Sequence, residues 1–147
     1  TYSGHPLACA AGVANLNYYR EHHIEERVQK LGKVFGKLLD ELKEKHPVVG
    51  DSRHIGLFGA LELVKNKESR EPLAPYGNDK EGIMDGIRGL LQENGFTAFG
   101  RENNINIAPP LTITEQEIRD AFKILDRVLY HVDEKYVEPA VEEKKAV

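Results

Sequence analysis

The chain has 147 residues, enough for one domain with a core of its own, and its 20 basic against 24 acidic residues give a formal charge of −4. That balance leaves no basic face for non-specific nucleic-acid binding, so small molecules and protein are the expected partners. The single cysteine, Cys9, excludes an internal disulfide framework and a cysteine-rich zinc site. No run of roughly 18 apolar residues could span a bilayer and no charged-then-apolar leader precedes the first helix, which together read as a cytoplasmic protein. The chain opens on Thr1, in mid-turn, and so reads as a piece of something longer.

Thr1, Ser3 and Gly4 are turn formers, and Pro6 has the fixed φ that suits the first helical position. A helix is predicted over residues 6–22, with Leu7, Ala11, Ala14 and Tyr18 on one face and Cys9 buried among alanines. A hydroxyl-bearing turn ahead of a helix N-terminus suits an anion, although Ser and Thr also serve there as ordinary caps. His5 is assigned to local hydrogen bonding around the helix start. A second helix follows at once, because Ile24, Val28, Leu31, Phe35, Leu38 and Leu42 recur at intervals of three and four. Glu25 and Glu26 stand at its start, Lys43 and Lys45 at its end, and His46-Pro47 stops it.

Residues 48–64 read as two strands separated by a turn or bulge at Gly56. In the second, Leu57, Gly59, Leu61 and Leu63 alternate with Phe58, Ala60, Glu62 and Val64. Residues 65–79 carry two prolines, Gly77 and no apolar period, the marks of a surface connection. A helix is predicted over 80–94, with Ile83, Ile87, Leu90 and Leu91 buried and Gly95 as its C-terminal cap. Gly82, Gly86 and Gly89 leave that helix dependent on tertiary packing. Short strands over 96–99 and 105–108 flank a polar turn over 100–104. Thr114 and Glu117 make a capping box that starts the last helix, whose face is Ile118, Phe122, Leu125, Leu129 and Val132. From about Glu134 the period fades into a disordered tail. Two helices, two strands, helix, two strands, helix suits an α+β layer: a small, largely antiparallel sheet with helices packed on it.

Three stretches carry a family likeness. Thr1-Tyr2-Ser3-Gly4-His5-Pro6-Leu7-Ala8-Cys9-Ala10-Ala11 resembles the segment that follows the cofactor lysine in class III pyridoxal-phosphate aminotransferases, the group that includes the ω-amino-acid:pyruvate enzymes. Val49-Gly50-Asp51-Ser52-Arg53-His54-Ile55-Gly56-Leu57, running on to Glu62-Leu63, is similar to the pattern in which an arginine and Gly-Leu lead into a strand ending Glu-Leu. Ala108-Pro109-Pro110-Leu111, followed by Thr114-x-x-Glu117, resembles the C-terminal signature, where an arginine a few residues upstream commonly binds the substrate carboxylate.

The resemblance implies the C-terminal portion of a fold-type-I enzyme. Residues 1–22 would be the linking helix from a large domain, 23–133 the small α+β domain and 134–147 the tail. Thr1 matches the threonine that reaches across a homodimer to the cofactor phosphate held by the other subunit. Arg53 matches the second motif's arginine, with a structural ion pair as its plainer role. Arg101 is the arginine of the third motif, either a carboxylate ligand offering two parallel donors or a solvated turn residue.

In the family the Schiff-base lysine and the acid that serves the pyridine nitrogen lie upstream, so no catalytic residue is expected within this chain and the chain alone should be inactive. The intact enzyme would use pyridoxal 5'-phosphate to move an amino group from an amine or amino-acid donor to a 2-keto acid. The adjacent His22 and His23 point in different directions and His54 and His131 have no second ligand at suitable spacing, so no metal is expected. The competing reading is a free-standing α+β module that binds a small acid or a protein.

Overall fold

The computed structural model describes residues 3–137. Within them the order is α1 (Pro6–Glu21), α2 (Ile24–Lys45), β1 (Val49–Ile55), β2 (Phe58–Asn66), β3 (Glu71–Pro72), α3 (Ile83–Glu93), β4 (Phe99–Arg101), β5 (Asn104–Ile107) and α4 (Glu115–Tyr136). The main sheet runs β1-β2-β5-β4 with every neighbouring pair antiparallel, and β3 adds to the far end of β2. This is the expected α+β layer.

Strand alternation decides what each face of the sheet carries. Leu61 pairs with Ile105 and Gly59 with Ile107, and all four are buried against the helices. Ala60 pairs with Asn106 and Glu62 with Asn104, and these point the other way. α2 and α4 cover the inner face with Phe35, Leu39, Leu42, Phe122, Leu125 and Leu129, and the Phe35 and Phe122 rings meet edge to face at 5.3 Å. Gly59 is bare because the helix sits on it: a Cβ there would stand 2.6 Å from the Phe35 ring and 2.8 Å from Leu39.

His46 does more than end α2. It is 1% exposed, and each ring nitrogen faces a carboxylate of α4, Nδ1 at 2.6 Å from Asp133 and Nε2 at 2.9 Å from Asp126. The second Asp133 oxygen accepts the Val48 N–H at 2.8 Å, and Lys45 reaches Asp126 at 2.6 Å. A neutral imidazole has one donor and one acceptor nitrogen, so one of these contacts would oppose two lone pairs. The protonated ring satisfies both. Burial pulls the His46 pKa down, yet the bonds and charges of Asp133 and Asp126 together raise it above the ordinary 6.5.

Element boundaries differ from the sequence reading for identifiable reasons. The helix predicted from residue 80 begins at Ile83, where the Asp79 carboxylate accepts the Ile83 and Met84 N–H groups at 2.9 Å each. Phe96 is not strand. Gly95, at φ +81°, and Phe96 close α3 by bonding back to the carbonyls of Gln92 and Leu91, so β4 starts only at Phe99. The turn shrinks to Glu102 and Asn103, which puts Gly100 and Arg101 on a strand.

The connection over 65–79 includes β3 and the buried Leu73 and Ala74, so it is not wholly surface. The capping box forms as expected, Thr114 Oγ1 accepting from the Glu117 N–H and the Glu117 carboxylate from the Thr114 N–H. α4 then continues past Glu134 to Tyr136; residues 138–147 of the expected tail lie outside the described residues.

Two expected outcomes follow from this packing. Gly59→Ala should lower stability by about 1–3 kcal/mol in denaturant unfolding, through overpacking against Phe35 and Leu39. His46→Gln should cost about 2–4 kcal/mol at about pH 6, at the lower end for a severed buried pair because Asp126 is partly exposed. His46 is raised, so its contribution is complete below the ordinary value and is lost as pH climbs through the raised one; the wild-type advantage over His46→Gln should shrink from about pH 7 upward.

Candidate functional site

The outer face of the sheet carries both arginines singled out by sequence. Register places Asp51, Glu62, Asn104 and Arg101 in one row across the four strands, and Arg53, Ala60, Asn106 and Phe99 in the next. Ile55 and Phe58 begin a third row on the β1–β2 hairpin. Three large apolar side chains stand open on this face, Ile55 at 79%, Phe99 at 72% and Phe58 at 55% exposure.

The two arginines have different surroundings. Arg53 Nη2 donates to Glu62 at 3.1 Å, and its Nε lies 3.4 Å from Asp51. Asp51 in turn accepts Lys43 Nζ at 2.8 Å; that bond, above all, holds its carboxyl below the ordinary value, with the Arg53 charge assisting. Arg53 is thus committed to an ion-pair network. Arg101 is not: among the described residues the carboxylate within 4 Å of its guanidinium is that of its neighbour Glu102, at 3.7 Å, and the Arg101 side chain is 78% exposed. Three strand spacings separate the two arginine backbones, about 14–15 Å, and the Arg53 guanidinium is turned to Asp51 and Glu62.

The first motif is set on α1, which buries none of its residues among the described ones, with Leu7, Val13, Leu16 and Tyr18 all exposed. The expected apolar face is therefore not packed here, and Cys9 is exposed rather than buried. Gly4 takes φ +73° in the turn, and Pro6 occupies the first helical position as expected. The His5 side chain makes no cap bond; its carbonyl accepts the Cys9 N–H at 2.9 Å instead. Thr1 lies outside the described residues.

A phosphate bearing an aromatic aldehyde is the group the motifs imply, and the residues fit its outer contacts. The first turn of α1 has no side-chain cap and no acidic residue, so its positive end suits a phosphate oxygen. Arg101 suits an acid group on a substrate. Among the described residues no group of three His, Cys, Asp or Glu could hold a metal ion, and no helix is long and apolar enough to cross a membrane.

Sequence reasoning missed the His46 cluster. Asp126 and Asp133, seven apart beside the apolar stripe of α4, were the visible half of it, but nothing local ties them to a histidine 80 and 87 residues earlier.

The family model for aminotransferase class-III matches residues 1–129. Among solved structures, the taurine:2-oxoglutarate aminotransferase of Bifidobacterium kashiwanohense, in complex with PLP and glutamate, is 49% identical with a TM-score of 0.88, covering 92% of this chain and 30% of its own. The adenosylmethionine-8-amino-7-oxononanoate aminotransferase of Methanocaldococcus jannaschii is 41% identical over 118 residues, 80% of this chain and 24% of its own length. Gamma aminobutyrate transaminase 2 of Solanum lycopersicum is 33% identical over 147 residues, 99% of this chain and 30% of its own length. The chain thus spans under a third of the length of these relatives. With the family model matched over most of its residues and the fold shared with solved transaminases, the chain belongs to the class-III aminotransferases.

Proposed function

We propose that this chain is the C-terminal portion of a cytoplasmic, homodimeric, pyridoxal-phosphate-dependent transaminase that moves an amino group from an ω-amino acid or taurine-like donor to a 2-keto acid. The observation that carries this reading is the match to the PLP- and glutamate-bound taurine:2-oxoglutarate aminotransferase, 49% identical over 92% of the chain. Residues 1–22 serve as the linking helix, 23–133 as the small domain and 134–147 as a tail. The exposure of Leu7, Val13 and Leu16 on α1, and of Ile55, Phe58 and Phe99 on the sheet, supports cover from the remainder of the protein.

Pyridoxal phosphate, when bound, supplies the carbonyl that takes up and releases the amino group. This chain's residues bind and orient. Thr1 donates its hydroxyl to the phosphate held by the neighbouring subunit, beside the uncapped turn of α1. Arg101 presents two parallel donors to the acid group at the far end of the substrate. A sulfonate and a carboxylate offer the same paired oxygens, so one guanidinium serves a taurine-like donor and a dicarboxylic acceptor such as 2-oxoglutarate in turn. Arg53 stays in its network with Asp51 and Glu62 and supports the sheet.

Borohydride reduction of the longest native form with pyridoxal phosphate should leave a pyridoxyl group on one lysine upstream of Thr1, and none when this 147-residue chain is treated alone. A native chain without any specific adduct would overturn the reading. In the full-length protein, Arg101→Ala should lower kcat/KM for 2-oxoglutarate by about 10- to 100-fold, the worth of a charge-assisted pair, and leave an amine donor without an acid group nearly unchanged.

A further inference from the structure

β4 is an edge strand, and an edge leaves alternate carbonyls without a ladder partner. Arg88 of α3 takes one of them: its Nη1 donates to the Gly100 carbonyl at 3.3 Å, while its Nη2 is ion-paired with Asp85 one turn back on the same helix. Gly100 is bare where helix and strand meet. A Cβ there would stand 3.0 Å from Nη1 and 3.3 Å from Cδ of Arg88, and 3.0 Å from the Asn104 carbonyl. The missing side chain lets the guanidinium lie across the strand, with the Arg88 side chain only 31% exposed.

The peptide that Arg88 holds joins Gly100 to Arg101. On its far side Glu102 takes a left-handed φ of +56°, and the other turn residue, Asn103, ties the tip to β2, its carbonyl accepting the Leu63 N–H at 2.8 Å and its Nδ2 donating to the Leu63 carbonyl at 3.1 Å. The outer edge at the Gly100 peptide is braced from α3, whose Ile83, Met84, Ile87 and Leu91 are buried and whose first turn is capped by Asp79. Asp85 fixes the guanidinium, the guanidinium fixes the peptide, and the peptide sets where the Arg101 side chain departs from the sheet.

We propose that Arg88 is a positioning residue for Arg101, orienting it toward the acid group of the substrate. This rests on the reading of Arg101 as the carboxylate ligand. A displacement of about 1 Å at such a contact is enough to weaken it severalfold or more.

The test is calorimetric titration of the full-length holoenzyme with glutarate, a dicarboxylate that lacks the reacting carbonyl. Arg88→Met keeps the apolar stem and removes the donors; it should weaken glutarate about three- to tenfold, with unchanged melting temperature and cofactor absorbance. Arg88→Lys, which restores a donor, should recover part of that loss. Arg101→Ala should weaken glutarate by about tenfold or more, and adding Arg88→Met to it should cost nothing further, since the two act as one unit.

Should Arg88→Met fail to fold, Asp85→Asn on the exposed side of α3 should weaken glutarate about twofold by loosening the same guanidinium. Wild-type affinity in Arg88→Met beside a weakened Arg101→Ala would overturn the positioning role alone, as would a loss that persists undiminished in the double variant. Wild-type affinity in Arg101→Ala would remove the carboxylate-ligand reading and the positioning role with it.

Discussion

β2 and β5 sit in the middle of an antiparallel sheet that α2 and α4 cover on one side only, and the direction of every side chain on those strands follows from which alternate residues are apolar. Leu61, Ile105 and Ile107 claim the covered side. Glu62, Asn104 and Asn106 are thereby sent to the other, and through the β4–β5 pairing so are Phe99 and Arg101. A slip of one residue would bury Arg101 and expose Ile105. The core and the candidate site are two results of one pattern, which is why a residue with few contacts of its own can still be held to one face.

The helical layer is locked by charge as well as by apolar contact. His46 stands at the junction of α2 and β1, where the chain leaves the helix layer for the sheet, and its two carboxylates are both on α4. Apolar packing between α2 and α4 would tolerate some sliding. Two short bonds from a ring of fixed shape do not, and Asp133 extends the constraint to the Val48 amide that leads into β1. When protonated, the buried His46 ring is neutralised by Asp126 and Asp133, with Lys45 outside balancing the excess negative charge.

Much of this arrangement was legible in the sequence because it is encoded locally. The 3.6-residue period of α2, the alternation from Leu57 to Leu63, the Thr114–Glu117 box and the Gly95 cap each lie within a few residues, and each formed. What was not legible depends on distant partners. Gly59 is bare because of Phe35 and Leu39, and His46 is buried because of Asp126 and Asp133. Phe96 looked like strand because it is aromatic and follows a glycine, but helix closure used it first. The apolar residues of α1 promised a packed face, and among the described residues of α1 none is buried. For the candidate site, the sequence offered Arg101 as the carboxylate ligand and gave Arg53 an ion pair as its plainer role; the partners of Arg53, Asp51 and Glu62, and the register that leaves Arg101 on the open face came only with the fold.

The class-III fold thus brings to one open sheet face a guanidinium without a strong partner, exposed apolar side chains elsewhere on that face and a second arginine already satisfied. The most direct test is a crystal structure of the full-length protein with pyridoxal phosphate and glutarate. Arg101 should lie within about 3 Å of a glutarate carboxylate with Arg53 still bound to Glu62. Glutarate held by Arg53 or by residues outside this chain, with Arg101 in solvent, would contradict the assignment.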